Sequence, residues 1–195
     1  EEKTIPEQAY VAKLLCDLEQ DLSFVQGRAL QSIFFGGGTP SLFFSQSIKN
    51  ILAGVQEKIP FAADIEITLE ANPGTAEAEK FQGFHAAGVN RLSIGVQSFQ
   101  SQHLQALGRI HDGEQAVRAV AMAQAAGFER INIDLMHGLP AQTVEDALAD
   151  LQQAIDLGVS HISWYQLTIE PNTVFYRQPP PLPAEEALWD IQQAG

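Results

Sequence analysis

A chain of 195 residues is long enough for one domain with a substantial core, and its 45% hydrophobic content marks it as globular rather than disordered. A net charge of −13 and a pI near 4.6 argue against nucleic acid and anionic membrane as partners, because both require a positive patch. No apolar run approaches the roughly 18 residues of a transmembrane segment, the start EEKTIPEQAY lacks the character of a secretory leader, and a single cysteine excludes an internal disulfide and fits a reducing, cytoplasmic location.

The first segment has helical period, with Leu14, Leu15, Leu18 and Leu22 on one stripe, and Cys16 among them is expected to pack quietly. An apolar strand follows over 32–35 and runs into FFGGGTPSL, three glycines closed by Thr-Pro. The second strand, 64–69, alternates: Asp64, Glu66, Thr68 and Glu70 share one face, and Ile65, Ile67 and Leu69 the other. Thr75, before AEAE, marks a helix start, and Ala87-Gly88 marks its end. The third strand, 90–96, sets Arg91, Ser93, Gly95 and Gln97 against Leu92, Ile94 and Val96. A helix carrying Ala116, Val117, Val120 and Ala123 closes at Ala126-Gly127. The fourth strand, 130–136, opposes Asn132 and Asp134 to Ile131, Ile133 and Leu135. Thr143 with Asp146 three residues on forms a capping-box pattern, and that helix ends at Leu157-Gly158. The fifth strand covers 161–167, and a proline-rich linker over 177–183 precedes a last helix at 184–193.

Strand and helix alternate throughout, so the expected fold class is α/β with about five parallel strands and right-handed crossovers. A doubly wound sheet and a (β/α) barrel both fit that order. Parallel strands buried on both faces read as continuous apolar runs, and these strands do not. Their shared polar face favours a lumen open at one end. The chain begins without Met and stops inside a helical run, so it is expected to be one domain, 1–195, truncated at both ends.

Ligands of parallel α/β folds sit beyond the carboxyl ends of the strands, and the polar residues gather there: the glycine turn, Glu70, Gln97, Asp134, and Gln166 with Thr168. The triplet is not a phosphate loop, since no Lys follows its last Gly; a plain tight turn is the bland alternative. Strand-end carbonyls and Glu70 suit a ligand that carries an ammonium group. His85, His103, His111, His137 and His161 form no zinc-type spacing. His137 lies nearest the rim, and Trp164 fits either the cavity or the core.

FFGGGTPSL, ITLEANPGT, GVNRLSIGVQSF, LGRIHD, NIDLMHGLP and LTIEPNTVFY, in this order across about residues 5–176, resemble the radical S-adenosylmethionine proteins of the oxygen-independent coproporphyrinogen III oxidase-like group. LEANP, GRIHD and LTIEPNT are more similar to its heme chaperone branch. The resemblance implies an incomplete (β/α)6, TIM-barrel-like partial barrel whose first strand is missing. It implies Gly37, Gly38 and Thr39 against the methionyl part of S-adenosylmethionine and Glu70 on its ammonium group. Arg109 would pair with its carboxylate, Gln97 and Asp134 with the ribose hydroxyls, and the Thr168 backbone with the adenine side. It further implies a 4Fe–4S cluster on a CxxxCxxC loop, heme or a porphyrin as ligand, and a heme-acceptor protein as partner. This chain has one cysteine and no such loop, so on its own it is expected to be inactive. Two rivals remain open: the coproporphyrinogen III oxidase itself, which converts propionates to vinyl groups, and an unrelated metal-free barrel enzyme.

Overall fold

The computed structural model describes residues 5–195. Helix α1 (Glu7–Val25) leads into strand β1 (Leu30–Phe35) and helix α2 (Ser45–Gln56). Strand β2 (Phe61–Ala71), helix α3 (Ala78–Ala87) and strand β3 (Arg91–Gln97) follow. Two helices, α4 (Ser101–Ala106) and α5 (Gly113–Ala125), precede strand β4 (Arg130–His137). Helix α6 (Val144–Asp156), strand β5 (His161–Gln166), a single turn α7 (Val174–Arg177) and helix α8 (Glu185–Ala194) complete the chain.

All four strand pairings are parallel and the order is β1-β2-β3-β4-β5. A strictly sequential order with right-handed crossovers winds the chain in one direction and keeps the helices on one face. That bears out the partial barrel favoured by the polar strand faces: the sheet is a curled half-barrel, not a doubly wound sheet. The alternation of side chains then acquires its meaning. Ile67, Leu69, Leu92, Ile94, Val96, Ile131, Ile133 and Leu135 are buried on the helix side with Phe81, Phe84, Val120 and Ala123. Thr68, Ser93, Asn132 and Asp134 point to the concave side.

Helix ends follow the local chemistry. Thr143 and Asp146 form the expected capping box on α6, and Asp112 with Gln115 forms another on α5. Helix α2 has no cap of its own; the Glu7 carboxylate reaches across from α1 and accepts from Phe44 N at 3.0 Å and from the Ser47 hydroxyl. The expected helix start at Thr75 is corrected. Thr75 closes a short turn, Pro73–Thr75, and donates to Asn72 O at 3.2 Å, while α3 begins at Ala78. A hydroxyl so close to a backbone acceptor favours the turn over the helix.

Cys16 is also corrected: it is exposed on α1. This helix covers little beyond α2, so only a thin stripe turns inward, with Val11 buried and Leu15 packed on Gly54. Cys16, one position from Leu15, points about 100° away from that stripe. Trp164 belongs to the core layer, beside Leu135 in register. Among the described residues no helix is long and apolar enough to cross a membrane.

Candidate functional site

At the carboxyl ends of the strands the concave face holds a cavity of about 180 Å³ lined by Gly38, Thr39, Glu70, Gln97, Arg109 and Asp134. Five loops and strand ends thus deliver six of the eight residues expected from the sequence to one hollow. Gly37 stands beside it: its N–H donates to the Glu70 carboxylate at 3.1 Å. Gly37 and Gly38 have φ of +79° and +61°, and a Cβ on either would meet nothing within 4 Å. Left-handed backbone, rather than crowding by the protein, therefore selects glycine at Gly37 and Gly38. Thr168 lies past β5, exposed, with its hydroxyl toward Glu70's distant namesake Glu170 at 3.3 Å, and does not line the cavity.

Gln97 is the most constrained of the set. It is 4% exposed and has φ of +64°, an uncommon conformation for a residue with a Cβ. The register slips between Gly95 and Gln97, so Val96 forms a bulge that re-aims the side chain. The bulge is held from outside the sheet. His111, in the GRIHD stretch, donates from Nε2 to Val96 O at 3.0 Å. Burial lowers the His111 pKa, with the Arg109 charge adding to the effect and the Val96 hydrogen bond opposing it. Gly113 approaches Phe99 O so closely that a Cβ would collide with it. The loop that carries Arg109 is thus fastened to the loop that follows Gln97.

The Gln97 Oε1 atom is buried without a partner. A buried acceptor left unmatched costs free energy, and here it belongs to a cavity-lining residue. Arg109 makes no ion pair among the described residues, whereas Arg91, Arg118 and Arg130 each have a carboxylate within 4 Å. The hollow therefore presents acceptors at Glu70, Gln97 and Asp134, and one planar cation.

Sequence reasoning missed Tyr165. It lines the same cavity from β5. Its phenol pKa is raised, first by burial and then by the Asp134 charge, while hydrogen bonding to Gln97 works the other way. The signal was available: by the two-residue period, Tyr165 shares the face of His161 and Ser163. The same period removes Gln166, which was expected at the rim. Gln166 lies on the helix side next to Gly138 and Leu188. His137 is likewise behind the sheet, against Trp164 at 4.3 Å between ring centroids.

Comparison with known proteins places the chain in a family. The model of the Radical SAM superfamily matches residues 17–154. A protein of Haemophilus influenzae named heme chaperone HemW is 56% identical over 195 residues, covering 98% of this chain and 51% of that protein. The Escherichia coli protein of the same name is 54% identical, covering 98% of this chain and 50% of its own length. The chain spans about half the length of these curated relatives. Among solved structures, coproporphyrinogen III oxidase (HemN) from Escherichia coli, described as a radical SAM enzyme, superposes with a TM-score of 0.79 at 30% identity. That match covers 97% of this chain and 45% of that one. The family match takes in well over half of the sequence and includes strands β1 to β4: the chain belongs to the Radical SAM superfamily.

Proposed function

We propose that the cavity binds S-adenosylmethionine and that the whole protein is a cytoplasmic heme chaperone, which binds heme and delivers it to an acceptor protein. The observation that supports the ligand is the unmatched Gln97 acceptor in a hollow that also holds Arg109, a cation without an ion pair among the described residues. S-adenosylmethionine brings donors on its ammonium group and ribose, and one carboxylate. Glu70 accepts from the ammonium group, the planar fork of Arg109 suits the carboxylate, and Gln97 and Asp134 take the ribose hydroxyls. Thr168, lying outside the hollow, offers its backbone to an adenine that projects beyond the rim.

The same test fails for an iron–sulfur cluster on these residues alone. Such clusters require several thiolates, and this chain has one cysteine, exposed on α1. No group of three or more His, Cys, Asp or Glu able to hold a metal is found among the described residues. The 4Fe–4S cluster implied by the superfamily therefore finds no ligand set among the described residues of this chain.

The chaperone reading is supported by relatives of that name at 54% and 56% identity, against 30% for the solved oxidase. An anaerobic assay of the full-length protein with coproporphyrinogen separates the two readings. Heme binding without turnover is expected; formation of vinyl products would overturn the chaperone reading in favour of the oxidase.

A further inference from the structure

Below the cavity, on the concave face, Asn132 of β4 sits at the centre of a hydrogen-bond network and is 2% exposed. Its Nδ2 donates to Ser93 Oγ at 2.8 Å and to Asp134 Oδ1 at 2.9 Å. Its Oδ1 accepts from Ser163 Oγ at 3.1 Å and from His161 Nδ1 at 2.6 Å. Ser93 Oγ in turn donates to Asp134 Oδ2 at 2.9 Å. Two donors and two acceptor lone pairs are all a carboxamide has, and Asn132 uses every one.

Each of these bonds has a fixed direction. A carboxylate only accepts, so Asn132 must turn its NH₂ toward Asp134. Its oxygen then faces β5 and only accepts, so His161 must carry hydrogen on Nδ1 and Ser163 must donate. The chain of donors runs His161 and Ser163 to Asn132, then Asn132 and Ser93 to Asp134. Both Asp134 oxygens receive one protein donor from below, which fixes the plane of the carboxylate. Their remaining lone pairs are left for the cavity side.

We infer that Asn132, with Ser93, is the positioning residue that holds Asp134 as a rigid two-oxygen acceptor and thereby makes the site select ligands with vicinal ribose hydroxyls. The inference rests on the proposed binding of S-adenosylmethionine at this cavity. Asn132 touches no ligand in this scheme; it acts through Asp134. Fixing an acceptor beforehand removes the cost of ordering it when the ligand arrives. Asn132→Ala frees the carboxylate to rotate and removes one of its two donors.

The test uses the full-length, cofactor-replete protein and two probes: S-adenosylmethionine and its analogue lacking both ribose hydroxyls. Calorimetry should show Asn132→Ala weakening S-adenosylmethionine roughly ten-fold, the scale of one hydrogen bond, with the analogue unchanged. Added to Asp134→Ala, it should cost nothing further. Imidazole ¹⁵N spectra should show His161 protonated at Nδ1 in the wild type and lose that signature in Asn132→Ala. Equal weakening of both probes, or an unchanged S-adenosylmethionine affinity while Asp134→Ala is impaired, overturns the inference alone. An Asp134→Ala protein that binds S-adenosylmethionine normally overturns the ligand assignment and the inference with it. Ser93→Ala, which removes only a hydroxyl, carries the same comparison if Asn132→Ala does not fold.

Discussion

The loop after Gln97 hangs on one buried carboxylate, and removing it tests how the site is built. Asp150 of α6 is 1% exposed. It accepts from Ser98 Oγ at 2.6 Å and from Phe99 N at 2.8 Å. Asp150→Ala leaves both donors buried and unmatched at about 1–3 kcal/mol each, so a loss of about 2–5 kcal/mol is expected. Asp150→Asn keeps the shape and one acceptor, and Ser98 can reverse its role, so about 1 kcal/mol is expected. The pH dependence has a definite sign. Burial raises the Asp150 pKa above its ordinary value, against the bonds from Ser98 and Phe99. Its contribution to stability is then full below the unfolded carboxylate range and lost as pH rises through the folded pKa. Asp150→Asn abolishes that loss, so it should cost most near pH 4 and least at neutral pH. Urea unfolding of the full-length protein gives the stability, and hydrogen exchange at the Phe99 amide gives the local effect. An Asp150→Ala protein within about 1 kcal/mol of wild type, with Phe99 still protected, would show that the loop is held by something else.

Gly113→Ala should displace the Arg109 loop, because its Cβ has no room beside Phe99 O; a destabilisation of about 1–3 kcal/mol is expected, and unchanged urea midpoints would contradict the contact. His111 and His137 both have pKa values lowered chiefly by burial. Their contribution is present above the ordinary histidine range and lost as pH falls through the folded values. His111→Gln should therefore flatten stability against pH on the acid side of 6.5, measured by thermal unfolding across pH, and a curve parallel to wild type would exclude His111. Strand β1 pairs with β2 on one side only, and Phe34 on it is 60% exposed. Unpaired edges invite association, so this 195-residue chain made alone should grow in mass with concentration by light scattering; a concentration-independent monomer would refute it.

Much of the architecture is written locally. Period-two alternation in 64–70, 91–97 and 130–136 depends only on which side of a pleated strand each residue takes, so both faces could be read without coordinates. The capping box at Thr143 and Asp146 is equally local. Six ordered motifs then carried the superfamily and the cavity residues, because each is a contiguous string. Other features depend on contacts between segments far apart in sequence. Alternation of strand and helix alone admits a sheet wound once or twice; the polar strand faces favoured the half-barrel, and the sequential strand order establishes it. The left-handed Gln97 exists because His111 and Gly113 pin a bulge from another loop. Tyr165 joins the cavity, and Gln166 and His137 leave it, because one residue of register moves a side chain to the opposite face. The outcome for Cys16 turned on how little α1 covers, a property of its neighbours rather than of its own pattern. Sequence determines what each strand can offer to either side; only the packed sheet decides which offers meet, since hydrogen bonds and burial are properties of pairs.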